Sequence, residues 1–342
     1  MFVAGDIGGT KTNLAFFELH APGTTPVYER TFASRDYATL EELINDFLAS
    51  TNLKARRAFL SIAGPVANGV CVTTNLPWTV DRDDLESKTG LVQIELVNDL
   101  LANANGISLL KDSDFVTLNE GEPANHGTAA VISAGTGLGE AGLYWDGIRH
   151  HAWPSEGGHS SFSPNDELQT ELLQFMREKL GREFNTKVVH VSTERVLSGM
   201  GLANIYEFLK HKGELKEPDW LTEELKNAED VPAAISRAAI EKNVDICVEA
   251  LNMLVTIYGS EAGNLALKLL STAGVFIGGG IAPKILPKLQ EPRFMNAFVE
   301  KGRMKPLLQK MPIKVITNNK TALIGAAKAG REQFSRLEAS IR

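Results

Sequence analysis

Short apolar runs alternate with stretches of helical periodicity through the first third of the chain. In Leu40–Leu48 the apolar residues recur at the spacing of one helix face, which predicts an amphipathic helix. Helices are also predicted from Asp81 and over Leu100–Ile107, and strands over Phe2–Gly5, Asn13–Leu19, Val27–Phe32, Ala58–Ala63 and Ile94–Val97. This mixture indicates an α/β fold.

The remainder of the chain repeats the mixture with longer helices. Strands are predicted over Thr128–Ala134, Ala141–Trp145, Ala273–Ile277 and Ile313–Thr317, and helices from Glu167, from Ser192 or Thr193, and over Ala233–Tyr258, Ala262–Leu270 and Thr321–Phe334. A polar stretch at 120–127 places a domain boundary just before it, near residue 110. Val3–Leu19 and Val131–Trp145 both read strand, glycine turn, strand, which suggests two related α/β domains facing each other.

Composition narrows the function classes. The 342 residues are 43% hydrophobic and 23% charged, values of a globular chain of two or three domains. A net charge of −7 argues against a general nucleic-acid binder. The two cysteines, Cys71 and Cys247, form no disulfide framework. Without a signal peptide or a long apolar run, we expect a cytoplasmic protein that does not bind a membrane.

Three glycine turns, each at the end of a predicted strand, indicate a nucleotide cleft: Gly5–Thr10, Gly135–Gly139 and Gly278–Gly280. Glycines leave room for a polyanion, and their N–H groups can converge on phosphate oxygens. The hydroxyls of Thr10 and Thr136 would add donors. Neither a Walker loop nor a Rossmann fingerprint fits, because strands rather than helices follow the turns.

Two acidic positions have competing interpretations. Asp6, within the first turn, could bind Mg²⁺ beside the phosphates or form an Asx turn with its own backbone. Asn98 and Asp99 follow a strand and precede a helix, where ligands of open α/β sheets bind. On this fragment alone, helix capping by Asp99 explains the pattern better.

Two further polar groups lie later in the chain. Glu156 and His159, separated by two glycines, could hydrogen-bond a polyol, and with His150 and His151 they could form a metal site, which we consider the weaker interpretation. Glu194 is placed in the first turn of a predicted helix, which explains it without a ligand.

In order along the chain, these motifs resemble the bacterial-type ATP-dependent glucokinases, hexokinases of the actin-like (ribonuclease H-like) superfamily. The resemblance covers residue 3 to about residue 330 and is carried by GDIGGTKTNLA, LPWTV, VNDLLANANGI, AGTGLGEAGL, PSEGGHSSFSP, STERVLSGMGLANIY and GVFIGGGIAPK. It implies two actin-like α/β domains around a central cleft, with the C-terminal helix returning to the first domain. The domains would be residues 1–109 plus 321–342, and residues 110–320.

The resemblance also implies a reaction, in which Mg²⁺-ATP and D-glucose give glucose 6-phosphate and ADP in the first step of glycolysis. Asp99 would be the catalytic base, and the sugar would be held by Asn98, Asp99, Glu156, His159 and Glu194. The nucleotide phosphates would be surrounded by Gly5, Asp6, Ile7, Gly8, Gly9, Thr10, Gly135, Thr136, Gly137 and Gly279, with Asp6 near the metal, directly or through water. A homodimer is expected from the family alone.

The chain departs from related sequences in two respects. Lys11 stands where this group often has Asn, and two cysteines are too few for the zinc motif of the broader repressor–kinase relatives, so no zinc is expected. A kinase for another hexose is the nearest alternative. A sugar sensor or repressor would carry a DNA-binding domain, and an actin-like chaperone would need a peptide-binding region; neither is evident.

Overall fold

The computed structural model describes residues 1–21, 23–73 and 76–341. The chain divides into two compact units, the first comprising Met1–Asp114, His151–Pro154 and Asn318–Arg342, and the second Phe115–His150 and Ser155–Thr317. This division differs from the expected one by residues 110–114, 318–320 and 151–154. The domain ranges expected from the sequence stay a prediction.

The elements in the described residues are numbered along the chain. The strands are β1 (Phe2–Ile7), β2 (Lys11–Phe17), β3 (Tyr28–Ala33), β4 (Arg57–Ile62), β5 (Val66–Ala67), β6 (Val70–Val72), β7 (Thr79–Asp81), β8 (Gln93–Asn98), β9 (Phe115–Asn119), β10 (Ala129–Ala134), β11 (Leu138–Trp145), β12 (His150–Ser155), β13 (Gly274–Gly278) and β14 (Ile313–Ile316). The helices are α1 (Leu40–Ala49), α2 (Arg82–Thr89), α3 (Asp99–Gly106), α4 (Glu167–Glu183), α5 (Gly199–Lys212), α6 (Asp219–Asn227), α7 (Val231–Ile240), α8 (Asp245–Leu269), α9 (Leu286–Leu289), α10 (Pro292–Val299), α11 (Lys305–Gln309) and α12 (Thr321–Ile341).

The two large sheets share one strand order. In the first unit the order is β3-β2-β1-β4-β8, with β1 antiparallel to β2 and parallel to β4. The other sheet runs β12-β11-β10-β13-β14 and adds β9 at its edge, with β10 antiparallel to β11 and parallel to β13. The repeat read from the sequence is therefore a repeat of topology, since β1-β2 and β10-β11 occupy equivalent positions.

Local sequence explains the helices that flank the first sheet. Thr39 caps α1 by accepting the N–H of Glu42, and the apolar face of α1 buries Phe47 against Phe16. The C-terminal helix α12 also lies in the first unit, as expected from the resemblance. Its Phe334 ring packs edge-on against Phe2 at 5.6 Å between centroids.

Close contact between α12 and α3 depends on glycine. A Cβ at Gly325 would lie 1.7 Å from the backbone oxygen of Ala102, and one at Gly106 would lie 2.3 Å from the backbone oxygen of Thr321. The missing side chains allow the two helix backbones to approach each other, so α12 supports the helix that begins at Asp99.

Two predictions about elements are corrected, and one small sheet was not predicted. The helix expected from Ser192 or Thr193 is a short 3₁₀ turn at Thr193–Arg195, and α5 starts later, capped by Ser198. The helices expected through Ala233–Tyr258 and Ala262–Leu270 are α7 and α8, and α8 continues across 258–262 without the expected break. The three-stranded sheet β5-β6-β7 was missed, because strands of two or three residues carry too little periodicity to be recognised.

Within the described ranges, no helix is long and apolar enough to cross a membrane. Both cysteines are buried as free thiols in the structure, Cys71 on β6 and Cys247 on α8.

Candidate active site

The first glycine turn is shorter than predicted. Strand β1 continues through Gly5, Asp6 and Ile7, so the turn consists of Gly8, Gly9 and Thr10. A Cβ at Gly5 would lie 2.7 Å from the side chains of Leu14 and Leu60, which explains this glycine by packing against neighbouring strands. Ile7 is likewise buried in the core, so only its backbone could reach a ligand.

The turn itself is held by Ser34, just after β3. Its hydroxyl donates to the carbonyl of Gly8 at 2.7 Å, and its N–H donates to the carbonyl of Thr10 at 3.0 Å. These bonds fix the turn while the Thr10 residue remains exposed to solvent. A turn fixed in this way is organised before any ligand arrives.

Asp6 lies on the central strand between two neutral donors. Its register partners are Asn13 on β2 and Ser61 on β4. The Ser61 hydroxyl donates to one carboxylate oxygen at 3.3 Å, and the Asn13 amide donates to the other at 3.4 Å. Both partners belong to adjacent strands, so the Asx turn considered from the sequence does not account for Asp6.

Burial raises the pKa of Asp6, and the hydrogen bonds from Asn13 and Ser61 act in the opposite direction. Such a carboxylate fits a divalent cation, whose charge would offset the cost of burial. Within the described residues, no group of three or more His, Cys, Asp or Glu side chains could hold a metal ion. A cation at Asp6 would therefore take its other ligands from phosphate and water, as Mg²⁺ commonly does.

Asn98 and Asp99 lie where β8 ends and α3 begins. Asn98, rather than Asp99, is the N-cap residue, and its side-chain oxygen accepts the N–H of Leu100 at 2.9 Å. Its amide group donates to the carbonyl of Gly64 at 3.1 Å, so both ends of the side chain are held. Asp99 is the first residue of α3, and its Oδ1 accepts the same Leu100 N–H at 2.9 Å.

The carboxylate of Asp99 thus lies at the N-terminus of a helix and at the carboxyl end of a parallel strand. The helix dipole favours negative charge at this position. A carboxylate held at a strand end suits proton abstraction from a bound hydroxyl.

In the second unit, the second and third glycine turns lie together at neighbouring strand ends. Gly135–Gly137 connects β10 to β11, and Gly279 follows β13, which is parallel to β10. Gly279 has φ = 84°, and a Cβ there would lie 2.2 Å from the carbonyl oxygen of Ala134. Only glycine suits that backbone conformation and close approach. Neither Gly135 nor Gly137 has a positive φ. Close approach of Glu194 explains Gly137, whereas a Cβ at Gly135 would meet no atom nearer than 4.0 Å.

Glu194 packs against the second glycine turn, and the sequence did not predict this contact. Its Oε2 accepts the N–H of Leu138 at 2.9 Å, and a Cβ at Gly137 would lie 2.5 Å from the same oxygen. Glu194 therefore contacts the backbone that follows the turn, rather than stabilising the first turn of a helix.

Glu156 and His159 lie at the two ends of a 3₁₀ turn over Gly157–His159. Their side chains are 66% and 59% exposed, which leaves both accessible to a ligand, and Oε2 of Glu156 lies 3.7 Å from Nε2 of His159. A Cβ at Gly158 would lie 2.1 Å from the carbonyl oxygen of Leu138. Leu138 thus contacts both this turn and Glu194, and it brings the second unit's predicted sugar and phosphate residues together.

The alternative metal group at His150, His151, Glu156 and His159 is not supported. The ring Nε2 of His150 lies 2.7 Å from the carbonyl oxygen of Gly127, and its ring packs edge-on against Trp145. These contacts explain His150 as a structural residue.

Sequence reasoning missed Asn13 and Ser61, which contact Asp6, and Glu140, a buried carboxyl on β11. Glu140 carries a visible signal, because it is a charged residue within the otherwise apolar and glycine-rich run LGEAGLYW. Asn13 and Ser61 carry none, since small polar residues are common in strands that flank a turn.

Comparison with known proteins agrees with this architecture. The Glucokinase family model matches residues 3–333. A glucokinase of Nostoc punctiforme is 39% identical over 339 residues, covering 96% of this chain and 98% of that protein. The crystal structure of a glucokinase from an Antarctic psychrotroph aligns with a TM-score of 0.78 at 31% identity, covering 96% of this chain and 98% of the other. A glucokinase of the ROK family from Streptomyces griseus, solved with glucose and AMPPNP, aligns with a TM-score of 0.63 at 18% identity, covering 97% and 99%.

The repeated sheet order, the glycine turns at strand ends and these structural relatives define an ATP-dependent sugar kinase with the actin-like ATPase fold. Within the class of sugar kinases, the comparisons also identify the family. The chain belongs to the glucokinase family, and it phosphorylates glucose.

Proposed function

We propose that this enzyme transfers the γ-phosphoryl group of Mg²⁺-ATP to the 6-hydroxyl of D-glucose, with Asp99 as the general base. The observation that carries the proposal is the position of Asp99, at the carboxyl end of β8 and the N-terminus of α3, beside an Asn98 held at both ends of its side chain. The proton of the 6-hydroxyl passes to the Asp99 carboxylate as the oxygen attacks the γ-phosphorus. The bond to the β-phosphate oxygen breaks, and ADP leaves with its electron pair.

Four polar side chains are proposed to bind the sugar hydroxyls with Asp99: Asn98, Glu156, His159 and Glu194. Carboxylates accept hydrogen bonds from hydroxyls, whereas amide and imidazole groups can donate or accept. The exposure of Glu156 and His159 and their common turn support this role. Glu194 uses Oε2 for the Leu138 amide, which leaves Oε1 for a hydroxyl.

The phosphates are proposed to bind at the glycine turns. Contacts are assigned to Gly5, Asp6, Ile7, Gly8, Gly9, Thr10, Gly135, Thr136, Gly137 and Gly279. The packing of Gly5 and Ile7 restricts them to backbone or supporting contacts. Asp6 would hold Mg²⁺ directly or through water, and the metal would neutralise charge on the transferred phosphoryl group.

A coupled assay of ADP release with Mg²⁺-ATP tests the proposal against a panel of glucose, mannose, fructose, N-acetylglucosamine and N-acetylmannosamine. Turnover that strongly favours glucose supports it. Preference for another hexose would keep Asp99 as the base and replace the substrate.

Glu156→Gln is expected to raise the KM for glucose about 10–100-fold, because a hydrogen bond to a charged group contributes about 1.5–3 kcal/mol. The KM for ATP should change far less. Initial rates with each substrate varied in turn give both constants. Glu167→Gln, at an exposed carboxylate at the start of α4, is the matched control. An unchanged glucose KM in Glu156→Gln would remove Glu156 from the sugar site.

Asp6→Asn is expected to raise the Mg²⁺ concentration needed for half-maximal activity about tenfold or more, because the amide is neutral and binds a divalent cation poorly. Titration of Mg²⁺ at fixed ATP measures this. Ser61→Ala, which removes a hydrogen bond but keeps the carboxylate, should change it much less. Since burial raises the pKa of Asp6, wild-type affinity for Mg²⁺ should fall as the pH drops through that raised value. Equal Mg²⁺ requirements in wild type and Asp6→Asn would argue against a metal at Asp6.

A homodimer, a cytoplasmic location and the absence of nucleic-acid, membrane and zinc binding stay predictions. The homodimer is supported by the family resemblance, and the others by charge, composition and cysteine number.

A further inference from the structure

Two carboxyl groups are buried in the second unit, and one oxygen of each lacks a hydrogen bond among the described residues. Glu140 on β11 and Glu261 on α8 are 1% and 6% exposed. Oε1 of each is buried and has no hydrogen-bond partner within the described part of the chain. Two adjacent buried carboxylates cannot both remain charged at low cost.

The surroundings identify Glu261 as the charged member of the pair. The Lys268 ammonium lies 3.6 Å from its Oε1, and the Asn264 amide donates to its Oε2 at 3.0 Å. Lys301, which follows α10, also interacts electrostatically with Glu261.

Glu140 has no cation of its own at salt-bridge distance among the described residues. Burial, and then the charge of Glu261, raise the pKa of Glu140 to about 7, while Lys268 acts in the opposite direction. In its protonated form Glu140 can donate a hydrogen bond, and the Glu261 carboxylate is an acceptor close enough to raise its pKa.

The other side of the Glu140 carboxyl faces the turn that carries Glu156 and His159. A Cβ at Gly157 would lie 2.0 Å from Oε2 of Glu140 and 3.1 Å from the hydroxyl oxygen of Ser155. That hydroxyl accepts the N–H of Gly157 at 2.9 Å. The first residue of the turn is therefore in direct contact with the carboxyl, and a shift of Glu140 must displace the turn.

We propose that Glu140 is a positioning residue for the glucose site, and that its proton, shared with Glu261, holds the turn Gly157–His159 in the conformation that binds the sugar. This inference rests on the proposed role of Glu156 and His159 in glucose binding. Glu140 acts through the turn and need not touch the substrate.

Loss of the proton from Glu140 is how a rise in pH would weaken glucose binding. A second negative charge beside Glu261 repels it, and both groups gain by separation or by the entry of water. The charged groups that act on Glu140 are Glu261 and Lys268 on α8, and Lys301 after α10 acts on Glu261. The turn that the carboxyl contacts carries Glu156 and His159. Lys268 offsets the added charge less than burial and the charge of Glu261 oppose it, so the ionised carboxyl shifts and moves the turn. Glucose binding is therefore strongest below about pH 7 and weakens as the pH rises through the pKa of Glu140.

The test compares pH profiles of the KM for glucose, the KM for ATP and kcat between pH 6 and 8. In wild type, the glucose KM should rise up to about tenfold, as expected for one group that titrates near 7, with a smaller change in the ATP KM. Glu140→Gln keeps the shape and the donor without the titration, so its glucose KM should stay low and independent of pH. Glu261→Gln removes the neighbouring charge and should move the transition to lower pH. The control Glu120→Gln, at an exposed carboxylate of the same unit, should behave as wild type.

Amide hydrogen exchange in residues 155–161 of the free enzyme gives a readout that does not depend on glucose. After correction for intrinsic rates, exchange should accelerate above pH 7 in wild type and not in Glu140→Gln. A pH profile in Glu140→Gln identical to wild type overturns the inference. So does a glucose KM in Glu140→Gln that rises together with the ATP KM, which indicates general damage to the fold.

The Glu156→Gln variant separates this inference from the proposed function. If Glu156→Gln raises the glucose KM while Glu140→Gln keeps the wild-type pH profile, the role of Glu140 alone is wrong. If Glu156→Gln leaves the glucose KM unchanged, the glucose-site assignment of the turn is wrong, and the inference fails with it.

Discussion

Asp99→Asn is expected to lower kcat about 10²–10⁴-fold while glucose binding stays measurable. The amide is nearly isosteric with the carboxylate and can still accept the N–H of Leu100, so α3 should begin as in the wild type. It cannot take the proton of the 6-hydroxyl, and a general base contributes about that much to the rate. Single-turnover measurements with saturating Mg²⁺-ATP, together with glucose affinity by calorimetry, separate the loss of chemistry from a loss of binding.

Asp83→Asn is the matched control, since it removes an exposed carboxylate near the start of α2 in the same unit. It should keep wild-type kcat. Near-normal turnover in Asp99→Asn would reject Asp99 as the base. A loss of glucose affinity without a loss of single-turnover rate would leave Asp99 only a binding role.

Gly325→Ala is expected to destabilise the first unit by about 1–3 kcal/mol or more, although alanine is the better helix former by about 1 kcal/mol. The added methyl group would lie 1.7 Å from the backbone oxygen of Ala102, so α12 and α3 must separate. Because Asp99 is the first residue of α3, kcat should fall along with stability. Urea unfolding monitored by circular dichroism, with kcat measured well below the transition, tests both effects.

Gly181→Ala gives the matched comparison within another helix. A Cβ there would lie 3.1 Å from the carbonyl oxygen of Thr186, so a small shift suffices to accommodate it. Its stability should change little, since the gain in helix propensity offsets the tight contact. If Gly325→Ala were as stable as Gly181→Ala, the close contact of α3 with α12 would not hold in solution.

Local patterns predicted those elements whose signal is contained in a few neighbouring residues. The helix predicted over Leu40–Leu48 is confirmed as α1, because amphipathic spacing and the cap at Thr39 both point to it. The strand–glycine turn–strand repeat likewise corresponds to the hairpins β1-β2 and β10-β11. Turn boundaries were less accurate, since Gly5 and Asp6 belong to β1.

Local sequence patterns did not predict the contacts of Glu194 in the candidate site. Glu194 was read as a residue of a helix start, because Ser192 and Thr193 provide suitable caps. The structure instead uses Ser198 as the cap and directs Glu194 to the amide of Leu138, 56 residues earlier in the chain. A contact over that separation has no signature in the nearby residues.

The sequence by itself determined the α/β class, the repeated hairpins and the motifs of the glucokinase family, because each depends on periodicity or on residue order. Tertiary structure alone decided that Asn13 and Ser61 donate to Asp6, and that Gly325 allows α12 to support α3. It also decided that Glu140 contacts Gly157 and that the charge of Glu261 acts on it. These are contacts between residues far apart in the chain. Their strength depends on burial and close approach, which only the packed fold establishes.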